Sequence, residues 1–226
     1  LWAAQFKRYI IMENVVKPIC RWGITGEIGA GKSTVAAFIT QLGIPVLDLD
    51  SIAKQLMQNN EYLRAQIKAE FGDDAYIGDE LNRGYLAEKA FSGGQVDRLN
   101  ALIHPAVYEE VARLESKIAD QGRKIIAKES ALLLQHGRPK DVDFIIWVQS
   151  SREIRRNRLS KRPHITRMDL DARIKHQSSL HLSQHLDKDR DIVLHNNETI
   201  QALHKQVSEL TSQLKTECDT LLQSRG

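Results

Sequence analysis

Gly26-Glu27-Ile28-Gly29-Ala30-Gly31-Lys32-Ser33-Thr34 is the stretch that decides the fold. Two glycines with four residues between them, followed by Lys and Ser, is the spacing of a P-loop. A phosphate chain carries dense negative charge, so holding one takes convergent backbone N–H donors, a cation and no side chains in the way. Glycines at 26, 29 and 31 allow that approach, Lys32 can reach the β and γ phosphates, and the Ser33 hydroxyl is the expected protein ligand of Mg²⁺. The motif carries weight only after a buried strand and at the opening of a helix. Both flanks are present: Trp22-Gly23-Ile24-Thr25 reads as a strand end, and Thr34-Val35-Ala36-Ala37-Phe38-Ile39 continues as an amphipathic helix stopping near Gly43.

Working outward, the 226 residues are enough for one α/β domain with a lid or small insertion and short for two independent domains. A hydrophobic fraction of 42% and a charged fraction of 27% are ordinary for a globular protein. No run approaches the roughly 18 apolar residues of a membrane span, so a soluble, cytoplasmic protein is expected. A net charge of +3 is too small to argue for nucleic acid. The two cysteines, Cys20 and Cys218, lie near opposite ends without metal-ligand spacing and are read as free thiols in a reducing compartment. Residues 1–17 are expected to form an unordered extension, with Met12 a candidate natural start.

From Pro18 onward short β-rich runs alternate with helical ones. Cys20–Thr25, Ile44–Leu49, Lys124–Lys128, Phe144–Gln149 and Ile192–His195 read as five strands of a parallel sheet flanked by helices. Between the second and third lies a mostly helical insertion, residues 51–122, of the kind that closes over a second substrate. The nucleotide core then comprises residues 18–50, 123–150 and 191–222. Residues 151–180 form a basic segment: Arg152–Lys175 holds nine Lys or Arg against three acids, with Pro163 interrupting it.

Leu47-Asp48-Leu49-Asp50 closes the second strand and places Asp50 at the carboxyl edge of the sheet, where open α/β sheets bind ligands. Side chains alternate along a strand, so Asp48 and Asp50 are expected on one face, one accepting the proton of an attacking hydroxyl and the other ordering metal-bound water. The competing role for Asp50 is to cap the helix that follows. Glu129 ends another apolar strand, where a carboxylate can reach metal-bound water or a substrate hydroxyl. Arg158, Arg162 and Arg167 could aim guanidiniums at phosphates as a closing lid, or lie on a solvated face or RNA-binding patch. Arg155 is read as a solvated bystander of that run. Pro105, after His104, is expected to start the long helix in its first turn, leaving His104 to contact an anionic substrate or a backbone group.

Taken together these positions resemble the dephospho-CoA kinase family over roughly residues 18–210. Ile24-Thr25-Gly26 leading into the P-loop is similar to the family's opening, and Leu42–Asp50 followed by Ile52-Ala53 to its second strand with Asp-x-Asp. Asn82-Arg83-Gly84-Tyr85-Leu86, Leu99-Asn100 and Ile103-His104-Pro105 are similar to its CoA-domain pattern. Lys161-Arg162, Thr166, Arg173 and Gln177, then Asp191–Asn197, resemble its lid and last strand. Gln135 stands where the family usually shows Glu, and Glu198 where it usually shows Gly.

The resemblance implies a P-loop NTPase-type sheet with a helical CoA domain and a basic lid, transferring a phosphoryl group from ATP, with Mg²⁺, to the ribose 3′-hydroxyl of dephospho-CoA. It implies Asp50, Lys32 and Arg162 as catalytic, and Gly29, Ala30, Gly31, Lys32, Ser33, Thr34, Arg158, Arg162 and Asn196 as ATP-binding. Asp50, Arg83, His104 and Glu129 fall to the acceptor, and Ser33 to the metal. A monomer or weak homo-oligomer without a nucleic-acid or membrane partner goes with this. A related kinase of a nucleotide or another small hydroxyl acceptor, and a non-catalytic ATP- or RNA-binding module, remain the alternatives.

Overall fold

The computed structural model describes residues 18–92, 94–161 and 180–225. In chain order the elements are β1 (Cys20–Gly26), α1 (Lys32–Gln41), β2 (Val46–Asp48), α2 (Leu49–Asn59) and α3 (Glu61–Phe71). A two-residue hairpin follows, β3 (Tyr76–Ile77) and β4 (Glu80–Leu81), then α4 (Arg83–Ala87), α5 (Val96–Asp120), β5 (Ile125–Glu129) and β6 (Phe144–Gln149). The chain ends with α6 (Arg152–Ser160), β7 (Ile192–His195) and α7 (Ile200–Gln223). The expected residues 1–17 extension and Arg162, Arg167 and most of the lid fall outside the described residues.

Five parallel strands in the order β2-β5-β1-β6-β7 form the central sheet, as the alternation of strands and helices leads one to expect. A parallel sheet is covered on both faces, so its strands read as nearly continuous apolar runs; β6, Phe-Ile-Ile-Trp-Val-Gln, is buried at all but its last position. On one face Trp22, Ile24 and Ile146 pack against Val35 and Ile39 of α1 and Leu203, Val207 and Leu214 of α7. On the other, Ile126 meets Val111 and Ala119 of α5, while Ile145 and Trp147 meet Leu134 and Leu182. The strand order turns at β1, so the loop after β1 opens at the carboxyl edge between outward-running neighbours, the crevice such sheets use for ligands.

The insertion has a small core of its own, built from Leu63, Ile67, Phe71, Ala75, Tyr76 and Leu86. Asn60 and Asn82 cap α3 and α4 by accepting from Leu63 N and Tyr85 N. The β3–β4 hairpin is too short to announce itself by alternation and was not anticipated by the pattern.

Three expectations give way. Pro105 does not start α5 but lies inside it, ten residues along a helix whose buried positions, Ile103, Val111, Glu115 and Ala119, bracket the proline on both sides. Packing along that face carries the helix past the hydrogen bond the proline cannot make. The second strand ends at Asp48, and Asp50 lies in the first turn of α2. Cys20 and Cys218 are not free: they form a disulfide, with both residues fully buried. Sequence distance concealed this pairing, because only the packing of α7 against β1 brings the two cysteines together.

Candidate functional site

The loop after β1 takes its shape from glycine. Gly26 has φ 142°, and a Cβ there would sit 2.1 Å from the Val148 carbonyl oxygen. Gly31, φ 100°, precedes α1 in the left-handed region, and a Cβ there would stand 2.4 Å from Asn196 Nδ2. Neither position admits a side chain, which is the condition for a backbone to close around phosphates. Lys32 opens α1, is 9% exposed, and its Nζ donates to the carbonyls of Gly26 and Glu27 at 3.2 Å each. The ammonium is thus already folded over the loop it is expected to serve. Ser33 and Thr34 follow in the first helical turn, Ser33 exposed.

Behind the loop a network fixes its back wall. Asn196 Nδ2 donates to the Ala30 carbonyl at 2.7 Å, and Ser150 Oγ donates to the Asn196 carbonyl at 2.5 Å. Arg158 Nη1 donates to Ala30 O and Ser150 Oγ, and its Nη2 to the carbonyl and side-chain oxygens of Asn196. Arg158 and Asn196 therefore stand beside the loop and brace it. With Gly29, Gly31, Thr34, Glu198, Ile200 and Leu203 they line a cleft of about 230 Å³. Polar groups together with the apolar Ile200 and Leu203 suit a partly apolar base joined to phosphates.

Three carboxylates gather at the same edge. Asp48, not Asp50, caps α2, accepting from Ser51 N at 2.9 Å and Ser51 Oγ at 2.6 Å. The alternative capping role for Asp50 is thereby filled by its neighbour. Asp50 accepts a 3.4 Å bond from Ser130 Oγ. Although Asp50 as a residue is open to solvent, protein crowds its carboxyl, and this burial together with the Asp48 charge pushes its pKa up; Lys54, Ser130 and Lys32 pull the other way. Glu129, 7% exposed at the end of β5, is also pushed up, mainly by burial and then by Asp48 and Asp50 against the pull of Lys32. Lys32, Asp50 and Glu129 consequently share one electrostatic field, although helix rather than strand geometry brings Asp50 there.

The remaining acceptor candidates are placed differently. Arg83 is exposed at the start of α4 and makes no ion pair with another described residue. His104, on α5, stacks edge-on to Tyr108 with ring centroids 6.3 Å apart. Burial, and the nearby His136 in the loop after β5, hold its pKa below the ordinary histidine value. Gln135 is exposed in that same loop.

Sequence reasoning missed Ser130 and misread Arg155. Ser130 follows Glu129 directly, so the rule that picked Glu129 at a strand end could have reached it. Arg155 is 6% exposed, its Nε donates to the Ser150 carbonyl, and its Nη2 pairs with Glu27 Oε1 at 3.1 Å. It is no bystander on a solvated face, because α6 turns that side of the basic run inward. No local signal marks this, since the partner lies in the phosphate loop.

Among the described residues, no three His, Cys, Asp or Glu side chains form a metal cage. The donor set present, an exposed Ser33 hydroxyl with carboxylates nearby, fits a hard cation carried mainly by phosphate oxygens and water, which is how Mg²⁺ is usually held at nucleotides.

A family model described as dephospho-CoA kinase matches residues 20–202 of the chain. A dephospho-CoA kinase of Salinibacter ruber is 37% identical over 190 residues, 83% of this chain and 94% of that protein. A crystal structure of TT1252 from Thermus thermophilus superimposes with a TM-score of 0.71 at 29% identity, covering 88% of this chain and 99% of the other. A dephospho-CoA kinase from Campylobacter jejuni, at 16% identity, shares the fold with a TM-score of 0.63 over 87% and 98% of the two chains.

Proposed function

As this chain belongs to the dephospho-CoA kinase family, we propose that Asp50 takes the proton of the ribose 3′-hydroxyl of dephospho-CoA while the loop at Gly26–Thr34 holds the γ-phosphoryl group of ATP. The protein is a kinase that makes coenzyme A from dephospho-CoA and ATP. The observation that carries the assignment of roles is the common electrostatic field of Lys32, Asp50 and Glu129 at the carboxyl edge, directly after the glycine-shaped loop.

Phosphoryl transfer asks little covalent chemistry of a protein and much positioning and charge neutralisation. Lys32 supplies the cation, swinging from the Gly26 and Glu27 carbonyls to the phosphates. Ser33 would hold Mg²⁺, which supplies charge neutralisation on the β and γ phosphates. Asp48 and Glu129 are assigned to accept from water around it. Asp50 accepts the hydroxyl proton; burial and the Asp48 charge raise its pKa, which makes it a better base than an ordinary carboxylate. Ser130 holds one of its oxygens. Arg83 and His104, both on the helical insertion, are assigned to the acceptor, Arg83 as a cation for its phosphates and His104 as a neutral ring beside its polar groups. Arg158 and Asn196 shape the ATP cleft, and Arg162 is assigned to the lid. The cytoplasm is the proposed site of action.

Incubating the protein with dephospho-CoA, ATP and Mg²⁺ should add one phosphate to dephospho-CoA, seen by mass. A panel of nucleoside monophosphates should be left unphosphorylated. Phosphorylation of a monophosphate in preference to dephospho-CoA would overturn the acceptor assignment.

A further inference from the structure

We propose that Arg155 neutralises Glu27, the one acidic side chain of the phosphate loop, and by this pairing sets how tightly the loop binds ATP. Glu27 follows directly on Gly26, so a carboxylate is built into the segment whose task is to meet negatively charged phosphates. Its backbone belongs to the loop: Glu27 N donates to Val148 O, and its carbonyl accepts from Ala30 N and Lys32 Nζ. An acid there opposes ligand binding unless its charge is cancelled, and the interaction is strong where water is scarce.

The cancelling charge comes from α6. Arg155 Nη2 lies 3.1 Å from Glu27 Oε1, with the two side chains 7% and 25% exposed. The second carboxylate oxygen, Oε2, is sealed from solvent and makes no hydrogen bond with any described residue. The guanidinium is itself fixed by Nε donating to Ser150 O, and Ser150 belongs to the network that braces Ala30 and Asn196. A Cβ placed on Gly29 would come within 3.2 Å of the Arg155 carbonyl and 2.9 Å of Leu159, so α6 already rests on the loop. The contact is therefore a junction between the phosphate loop and α6, with an ion pair inside it. Breaking such a pair from one side leaves the other charge uncompensated, which costs more than removing both.

Arg155 is on this account a positioning residue that acts on ATP through Glu27. The inference rests on the reading of Gly26–Thr34 as the ATP site, and a parent protein that fails to bind ATP would refute that reading rather than this pairing. Direct titration of ATP with Mg²⁺ into the parent, Arg155→Met, Glu27→Gln and the double variant decides the matter, with melting temperatures recorded beside each. Arg155→Met is expected to weaken ATP binding by roughly ten- to a hundredfold, and adding Glu27→Gln to recover most of that loss even where the melting temperature is not recovered. Equal weakness of Arg155→Met and the double variant would mean a merely structural role and overturn the proposal, as would parent-like affinity in Arg155→Met. If Arg155→Met does not fold, Glu27→Gln alone decides: binding tighter by about two- to fivefold supports the pairing, because the arginine's charge is then free to act on the phosphates, and equal or weaker binding overturns it.

Discussion

The phosphate loop and the helical insertion reach the same crevice by opposite means. The loop has little freedom left: glycines exclude any Cβ, and it is held from two sides, by Asn196 after β7 and by Arg158 and Arg155 of α6, the first two bonded to Ala30 and the last to Glu27. The insertion has a cluster of its own, Leu63, Ile67, Phe71, Tyr76 and Leu86, joins the sheet where Ile52, Val111 and Ala119 meet Ile126, and presents Arg83 and His104 on its surface. An anion of fixed shape rewards a preformed cradle, whereas a long acceptor is better met by a part that can shift as a body. Asp50 lies at the seam between the two, in the first turn of the helix leading from the sheet into the insertion.

The sharpest way to test that seam is Asp50→Asn. Turnover should fall by roughly 10²–10⁴, the usual worth of a general base, while ATP affinity measured by titration stays near that of the parent. The same variant has a stability signature. Because the folded pKa of Asp50 is raised by burial and by Asp48, the stability this group contributes is fully present in acid, below the ordinary carboxylate range, and is lost as pH rises through the raised value. Above that raised value the ionised carboxylate thus costs stability, so Asp50→Asn should melt no lower than the parent at a pH beyond the acid limb of the rate. A large fall in melting temperature there would contradict the electrostatics given for the site. In the parent, the acid limb of the rate should lie above the ordinary carboxylate range.

A cluster of its own in the insertion predicts that damage there largely spares the phosphate loop. Leu63→Ala, a fully buried position of the insertion cluster, should cost about 2–5 kcal/mol in unfolding and raise KM for dephospho-CoA, with little change in ATP affinity. Equal loss of ATP binding would show that the insertion and the loop are one rigid unit.

On the other side of the sheet, the Cys20–Cys218 bond ties α7 to the start of β1, at the end of the sheet away from the loop. Reduction or Cys218→Ser should lower unfolding free energy by about 2–4 kcal/mol, chiefly by freeing a long loop of the unfolded chain, while kcat and KM stay close to the parent's. Titration of free thiols in the native protein checks the bond itself; two reactive thiols after denaturation without reductant would refute it.

The smallest effect is expected at Ser130. Its bond to Asp50 is long at 3.4 Å, so Ser130→Ala should lower kcat only about three- to tenfold, in line with the roughly 1 kcal/mol of an ordinary hydrogen bond rather than the larger worth of a short one to a charge, leaving KM for ATP unchanged. Ser130→Thr should recover most of the rate. A drop as deep as that of Asp50→Asn would move the serine from support of the base to direct contact with the acceptor.

Much of this is legible in the chain alone, because it depends on neighbours along it. The glycine spacing before Lys32, the apolar runs of the five strands and the helical spacing of α1, α3, α5 and α7 are local patterns, and each came out within a few residues of its expected span. The edge position of Asp50 and Glu129 followed from where those runs stop. Tertiary structure decided what depends on distant partners. Parallel pairing of β1 with β5 and β6 brought Glu129 to Lys32, α7 brought Cys218 to Cys20, and α6 turned Arg155 inward onto Glu27. Asp48 against Asp50 as cap, and the passage of α5 through Pro105, turned on one helical turn of geometry and on packing along a whole face. Propensity and periodicity act over a few residues, whereas the pairing of charges and thiols is set by which elements the closed sheet makes neighbours.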